Sequence, residues 1–151
     1  SIRANFGIGT LYMEMGDTGK AREVFRKLSE IEAIFDEENK HIFNEFGIEL
    51  RKANMAQEAL ANYLKAIEIS PNDEHLYFNV ARLYYEKKEW DTALDWLHKA
   101  LEINPDFREA RRFEAVILKD RQGAGRGDDS GSMPEGDDSL QDDPSKPTRS
   151  G

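Results

Sequence analysis

The sequence predicts an all-α fold: antiparallel helix pairs stacked into a solenoid and closed by one further helix, seven helices in all. Three observations carry this. The chain resembles itself at a spacing of 34 residues. Prolines stand at the same place in two successive copies of that unit, at Pro71 and Pro105. The segment after Pro105 carries Phe107, Ala110, Phe113 and Ile117 at three- and four-residue spacing, which is one apolar helical face.

The self-similarity is dense. Phe43 and Tyr77, Ala59 and Ala93, Ala66 and Ala100, and Ile67 and Leu101 are all 34 residues apart. The heptamers Lys65-Ala66-Ile67-Glu68-Ile69-Ser70-Pro71 and Lys99-Ala100-Leu101-Glu102-Ile103-Asn104-Pro105 are nearly the same string. This pattern resembles the tetratricopeptide repeat, which wants an aromatic at position 4, Leu then Gly or Ala at 7 and 8, Tyr at 11, Ala at 20, an aromatic at 24, Ala at 27 and Pro at 32. A repeat started at Lys40 lays Phe43, Phe46, Gly47, Leu50, Ala59, Tyr63, Ala66 and Pro71 on those places. One started at Glu74 lays Tyr77, Val80, Ala81, Tyr84, Ala93, Leu97, Ala100 and Pro105 there. One started at Ile2 gives Asn5, Ile8, Gly9, Tyr12, Ala21, Phe25, Leu28 and Ala33, and departs at positions 4, 27 and 32. The resemblance implies a right-handed superhelix of repeats at about 2–35, 40–73 and 74–107, with a capping helix at about 107–121.

Taken in order, helices are expected over roughly 2–15, 18–35, 39–52, 56–69, 73–87, 90–103 and 107–121. Gly16-Asp17 and Ala53-Asn54 mark the turns inside the first two pairs, and Lys88-Glu89 takes that place in the third without a glycine. Extra residues near Asp36–Asn39 separate the first repeat from the second. Pro71 and Pro105 stop the helices before them, because proline lacks an amide and restricts its predecessor. Gly9, Gly47 and Ala81 are expected to meet Ala21, Ala59 and Ala93 where paired helices cross closely. On the last helix, Arg111, Arg112, Lys119 and Asp120 are expected to point away from the apolar face.

The composition breaks at Gln122. Residues 122–151 are Gly, Asp, Ser and Pro with few apolar residues, and are expected to form a disordered acidic tail. Seven acids against three bases give that tail four of the chain's nine net negative charges. Arg126-Gly127-Asp128 spells an adhesion tripeptide, a string short enough to arise by chance. The tail could also fold back onto a basic groove, since tethering raises its effective concentration.

In the family that the pattern resembles, the first helix of each repeat lines a peptide-binding groove. Carried over, the candidates are Arg3, Phe6, Thr10 and Met13, then His41, Asn44, Ile48, Arg51 and Lys52, then His75, Phe78, Asn79, Arg82 and Tyr85, with Arg112 and Lys119 from the last helix. Bases and aromatics dominate, the side chains that most often anchor interfaces. The resemblance thus implies a protein or peptide partner with acidic and apolar positions. A subset of the family clamps the acidic carboxy-terminal peptide of heat-shock chaperones, using Lys, Asn, Asn, Lys and Arg. Those places hold Phe6, Thr10, Glu45, Phe78 and Arg82, so chaperone-tail binding is not expected.

Catalysis is not expected. There is no cysteine, no HExxH string, no phosphate-binding glycine loop and no nucleophile elbow. His41, His75 and His98 lack converging ligands, so neither metal nor cofactor is called for. A net charge of −9 argues against nucleic acid. No apolar run is long enough to span a bilayer, and Ser1-Ile2-Arg3-Ala4 is no signal peptide. The chain starts without Met inside a helical pattern, which reads as a fragment of a longer protein, of expected cytoplasmic location. Two roles stand side by side: an adaptor holding a peptide, or a repeat segment of a larger, for example bacterial, signalling or assembly protein such as a response regulator, serving self-association or intramolecular packing.

Overall fold

The computed structural model describes residues 2–30 and 37–125. Among them are seven helices and no strand: α1 (Ile2–Glu14), α2 (Thr18–Glu30), α3 (Glu37–Lys52), α4 (Ala56–Ile69), α5 (Glu74–Glu86), α6 (Trp90–Ile103) and α7 (Arg108–Gly125). The chain divides into two compact units at Pro71. The first holds the pairs α1–α2 and α3–α4; the second holds the pair α5–α6 and α7.

The repeat is visible in the turns. Gly16, Asn54 and Lys88 occupy the same repeat position, and each has a left-handed φ, of 80°, 62° and 61°. Each turn closes the same way. The next residue's amide reaches back five residues: Asp17 to Tyr12 O at 2.8 Å, Met55 to Leu50 O at 2.9 Å, Glu89 to Tyr84 O at 3.0 Å. This 6→1 bond satisfies a carbonyl that the helix end would otherwise leave exposed. Asp17 then accepts from the Lys20 amide at 3.1 Å and starts α2. At the other helix ends, Ser70 and Asn104 are out of helical geometry, as residues before proline must be.

At the expected crossings the aromatic at position 24 makes the nearest contact. The nearest atoms to a Cβ built on Gly47 belong to Tyr63, with Cδ1 at 2.5 Å and Cζ at 3.0 Å. At Gly9 they belong to Phe25, with Cζ at 2.8 Å and Cδ1 at 3.0 Å. The glycines make room for the aromatic ring at position 24. Ala21, Ala59 and Ala93 are fully buried.

Boundaries differ at two places. Helix α3 starts at Glu37, so most of the extra residues before the second repeat lengthen that helix by a turn. Helix α7 runs on to Gly125, so Gln122–Gly125 are helical and the expected tail boundary moves. Gly123 is buried there, which gives the added turn a packed residue. Residues 31–35 of the expected second helix, the rest of the tail and the tripeptide Arg126-Gly127-Asp128 lie outside the described residues.

Candidate peptide-binding surfaces

The first unit carries nine of the expected ligand-facing residues. On α1, Arg3 is exposed and its guanidinium donates to Glu45 of α3 at 2.8 Å. Phe6 lies flat on Phe46, with centroids 3.8 Å apart and planes within 1°, and touches Phe25 at 5.1 Å. Thr10 donates its hydroxyl to the Phe6 carbonyl, one turn back. It and Met13 are half-buried. On α3, Asn44, Ile48 and Arg51 are buried, His41 is half-buried and Lys52 is exposed. Of these nine, Arg3, Phe6, Thr10, Met13, His41 and Lys52 keep some exposure to solvent.

In the second unit α7 covers much of the expected set. The Phe78 ring packs against Phe107 at 5.3 Å and Phe113 at 5.2 Å. Tyr85 meets Phe113 edge-on at 5.2 Å and Trp90 at 5.6 Å. Its hydroxyl donates to the Asp120 carboxylate at 2.6 Å. Burial, together with that carboxylate, pushes the Tyr85 phenol well above its ordinary value. Asn79 and Arg82 are buried as well. His75 turns its ring edge toward Phe107 at 4.8 Å and is half-buried. Arg112 and Lys119 stay exposed on α7, with Arg112 3.9 Å from Glu109.

The physical reason is common to both units. A first-helix side chain at position 5 of its repeat, Phe6 or Phe78, serves the seam with the following first helix, α3 or α7. Burying a large apolar side chain in that seam stabilises the fold by about 1.5–3 kcal/mol relative to leaving it in water. Asp120 was expected to face outward and does not. Its signal is in the spacing, since it follows Phe113 by seven residues and Ile117 by three, on the same helical stripe.

Similarities to known proteins bear on this arrangement. Residues 2–34 match the family model described as Tetratricopeptide repeat. Residues 46–120 match the one described as Regulator of microtubule dynamics protein 1-3. Among individual proteins, the chain is similar to human Protein O-mannosyl-transferase TMTC3, 35% identical over 72 residues, which are 47% of this chain and 8% of that protein. It is similar to mouse Protein arginine N-methyltransferase 9, 32% identical over 63 residues, 42% of this chain and 7% of the other. It is also similar to the Hsp70-Hsp90 organising protein of Plasmodium falciparum, 36% identical over 62 residues, 41% of this chain and 11% of the other. The chain thus spans between 7% and 11% of the length of these curated relatives. The first helix pair matches the tetratricopeptide repeat, and the strand-free run of helix pairs among the described residues fits that fold; such repeats generally bind other proteins. Among the described residues, no helix is long and apolar enough to cross a membrane.

Proposed function

We propose that this array of tetratricopeptide repeats is a protein-interaction module, not an enzyme, and that it holds an acidic peptide or helix of a partner on the exposed bases of α7. One observation carries the reading: in the second unit the aromatics Phe78 and Tyr85 go into packing, whereas Arg112 and Lys119 of α7 remain in solvent. A chain of net charge −9 that keeps bases on this face can attract acidic side chains there. Met13 and His41 in the first unit and His75 in the second are half-buried and offer further apolar and polar contacts, each within its own unit.

The heat-shock tail is not the proposed ligand, despite the similarity to an organising protein. At the clamp places, Phe6 is stacked on Phe46, Phe78 and Arg82 are buried, and Glu45 is paired with Arg3. A carboxy-terminal peptide of that class should show no binding in fluorescence anisotropy.

The positive test uses a labelled peptide of alternating Glu and Leu beside a twin with Lys for Glu. The acidic peptide should bind and weaken as salt rises, because exposed charges are screened over about 10 Å at ordinary ionic strength. Arg112→Glu with Lys119→Glu should lower its affinity about tenfold. Equal binding of the Lys twin, or an affinity untouched by the reversals, overturns the reading. Reversing Arg51 or Arg82 would be a poorer test, since both are buried and the variants would report on folding.

A further inference from the structure

The outer face of α7 is basic. Arg108, Arg111, Arg112, Ala115, Leu118 and Lys119 are all exposed. Their spacings of three and four residues set them on one stripe, opposite the buried Phe113 and Ile117. The stripe has four bases and no acid, with Leu118 41% exposed among them. Arg111 gives its Nε to the Pro105 carbonyl at 2.9 Å, which leaves its terminal nitrogens to other acceptors. Arg112 comes only within 3.9 Å of Glu109, and Lys119 has no partner among the described residues.

The residues that follow α7 are poorly suited to cover this face with a helix. On α5 the matching places are Tyr77, Ala81 and Tyr84, packed around Ala93, Leu97 and Ala100 of α6. On α7 they are Arg111, Ala115 and Leu118. Thirty-four residues beyond Ala93, Leu97 and Ala100 stand Gly127, Gly131 and Pro134, the poorest helix formers. After them comes an acidic run around one leucine. Glu135-Gly136-Asp137-Asp138-Ser139-Leu140-Gln141-Asp142-Asp143 has five acids and no base.

We propose that residues 137–143 dock back on α7 and compete there with an acidic partner. Leu140 lies against Ala115 and Leu118, and the aspartate pairs on either side of it meet Arg111, Arg112 and Lys119. The dock deepens the peptide reading, on whose α7 bases it rests. Charge complementarity supports it, since opposite charges favour encounter and fix register. The dimensions agree as well. Arg112 and Lys119 are separated by about 10 Å of helix, and Asp138 and Asp142 by about 13 Å of extended chain, a difference that long basic side chains take up. The tether also fits. Gly125 stands about 10 Å along the helix from Leu118 and about 20 Å from Arg112. A Gly- and Ser-containing tether as long as 126–136 has an r.m.s. span of about 18 Å. Where span and tether match, the effective concentration reaches the millimolar range, so contacts that are weak one by one suffice to occupy the face.

The chain has no cysteine, so Ser139→Cys carries a spin label at one place on the full chain. In NMR spectra the amides of Ala115, Leu118 and Lys119 should broaden most. Raised salt should remove the broadening, because exposed charges are screened. Changing Asp137, Asp138, Asp142 and Asp143 together to Asn should remove it too. The same Asn variant should bind the labelled peptide of alternating Glu and Leu about threefold to tenfold more tightly than the parent chain. Broadening spread evenly over the chain, or broadening that survives the Asn changes, overturns the dock. Equal peptide affinities for the two chains overturn it also, and leave the peptide reading standing. Broadening confined to α7, with the peptide bound by neither chain, upholds the dock and overturns the peptide reading.

Discussion

Gly47 and Tyr63 interlock: a single methyl on the glycine would lie 2.5 Å from Cδ1 of the ring. Tyr63 is fully buried, so its ring cannot swing into solvent to give way. In the third repeat the same two places hold Ala81 and Leu97, both fully buried. The small residue is thus matched to the bulk of its partner, and the pair changes together between repeats.

Gly47→Ala should destabilise the chain by about 1–3 kcal/mol, the usual cost of overpacking. Helix propensity alone would give the opposite sign, since alanine is favoured over glycine by about 1 kcal/mol. Tyr63→Leu, costly by itself, should recover part of the loss in the double variant. Urea denaturation of all four members of the cycle measures the coupling, and additive effects would contradict the interlock.

Tyr85→Phe removes the hydroxyl that serves the buried Asp120 carboxylate. The expected cost is about 1–3 kcal/mol, most of it from leaving a desolvated acceptor without its donor. The loss should concentrate in α7, so hydrogen exchange at Ile117–Arg121 should speed up more than exchange in α4. Unchanged protection there would mean that the bond does not hold the helix.

The same phenol sets an alkaline limit. Burial and Asp120 raise the Tyr85 pKa, and burial raises that of Tyr77. As pH climbs past the ordinary tyrosine value of 10.0, the unfolded chain releases these protons while the folded chain keeps them. Stability is therefore full below that pH and falls above it. Chemical denaturation at stepped pH should show the decline beginning there, and Tyr85→Phe should make it shallower.

Lys88 holds a left-handed φ of 61° without being glycine. That conformation costs an L-residue about 1–2 kcal/mol, partly offset by the greater flexibility of glycine in the unfolded chain. Lys88→Gly should raise stability by up to about 1 kcal/mol in thermal or urea melts. Its exposed side chain makes the swap harmless to the core. Gly16→Ala, at the equivalent turn, should shift stability the other way.

Much of the fold was legible in the chain because the repeat states its rules many times. The observed start of every helix from α4 to α7 falls within one residue of expectation, since Pro71, Pro105 and the turn residues act locally. The extended end of α7 was harder to see: Gln122–Gly125 look like tail by composition, and their helicity rests on neighbours. The candidate surface was legible only in part. Repeat positions identify the first-helix residues, but they do not say which are spent on the next helix. Phe78 and Tyr85 read as anchors for a ligand and turn out to anchor α7.

By itself, the sequence determined the class of fold, the register of the repeats, the three turns and the identity of the small positions. All of these follow from short-range periodicity and backbone preference, which neighbouring residues impose on one another. Only the tertiary structure decided that Gly47 serves Tyr63 and that Asp120 faces inward to Tyr85. Burial is a property of what lies opposite a side chain in space, and the residue opposite is set by how helices pack, not by the helix that carries it.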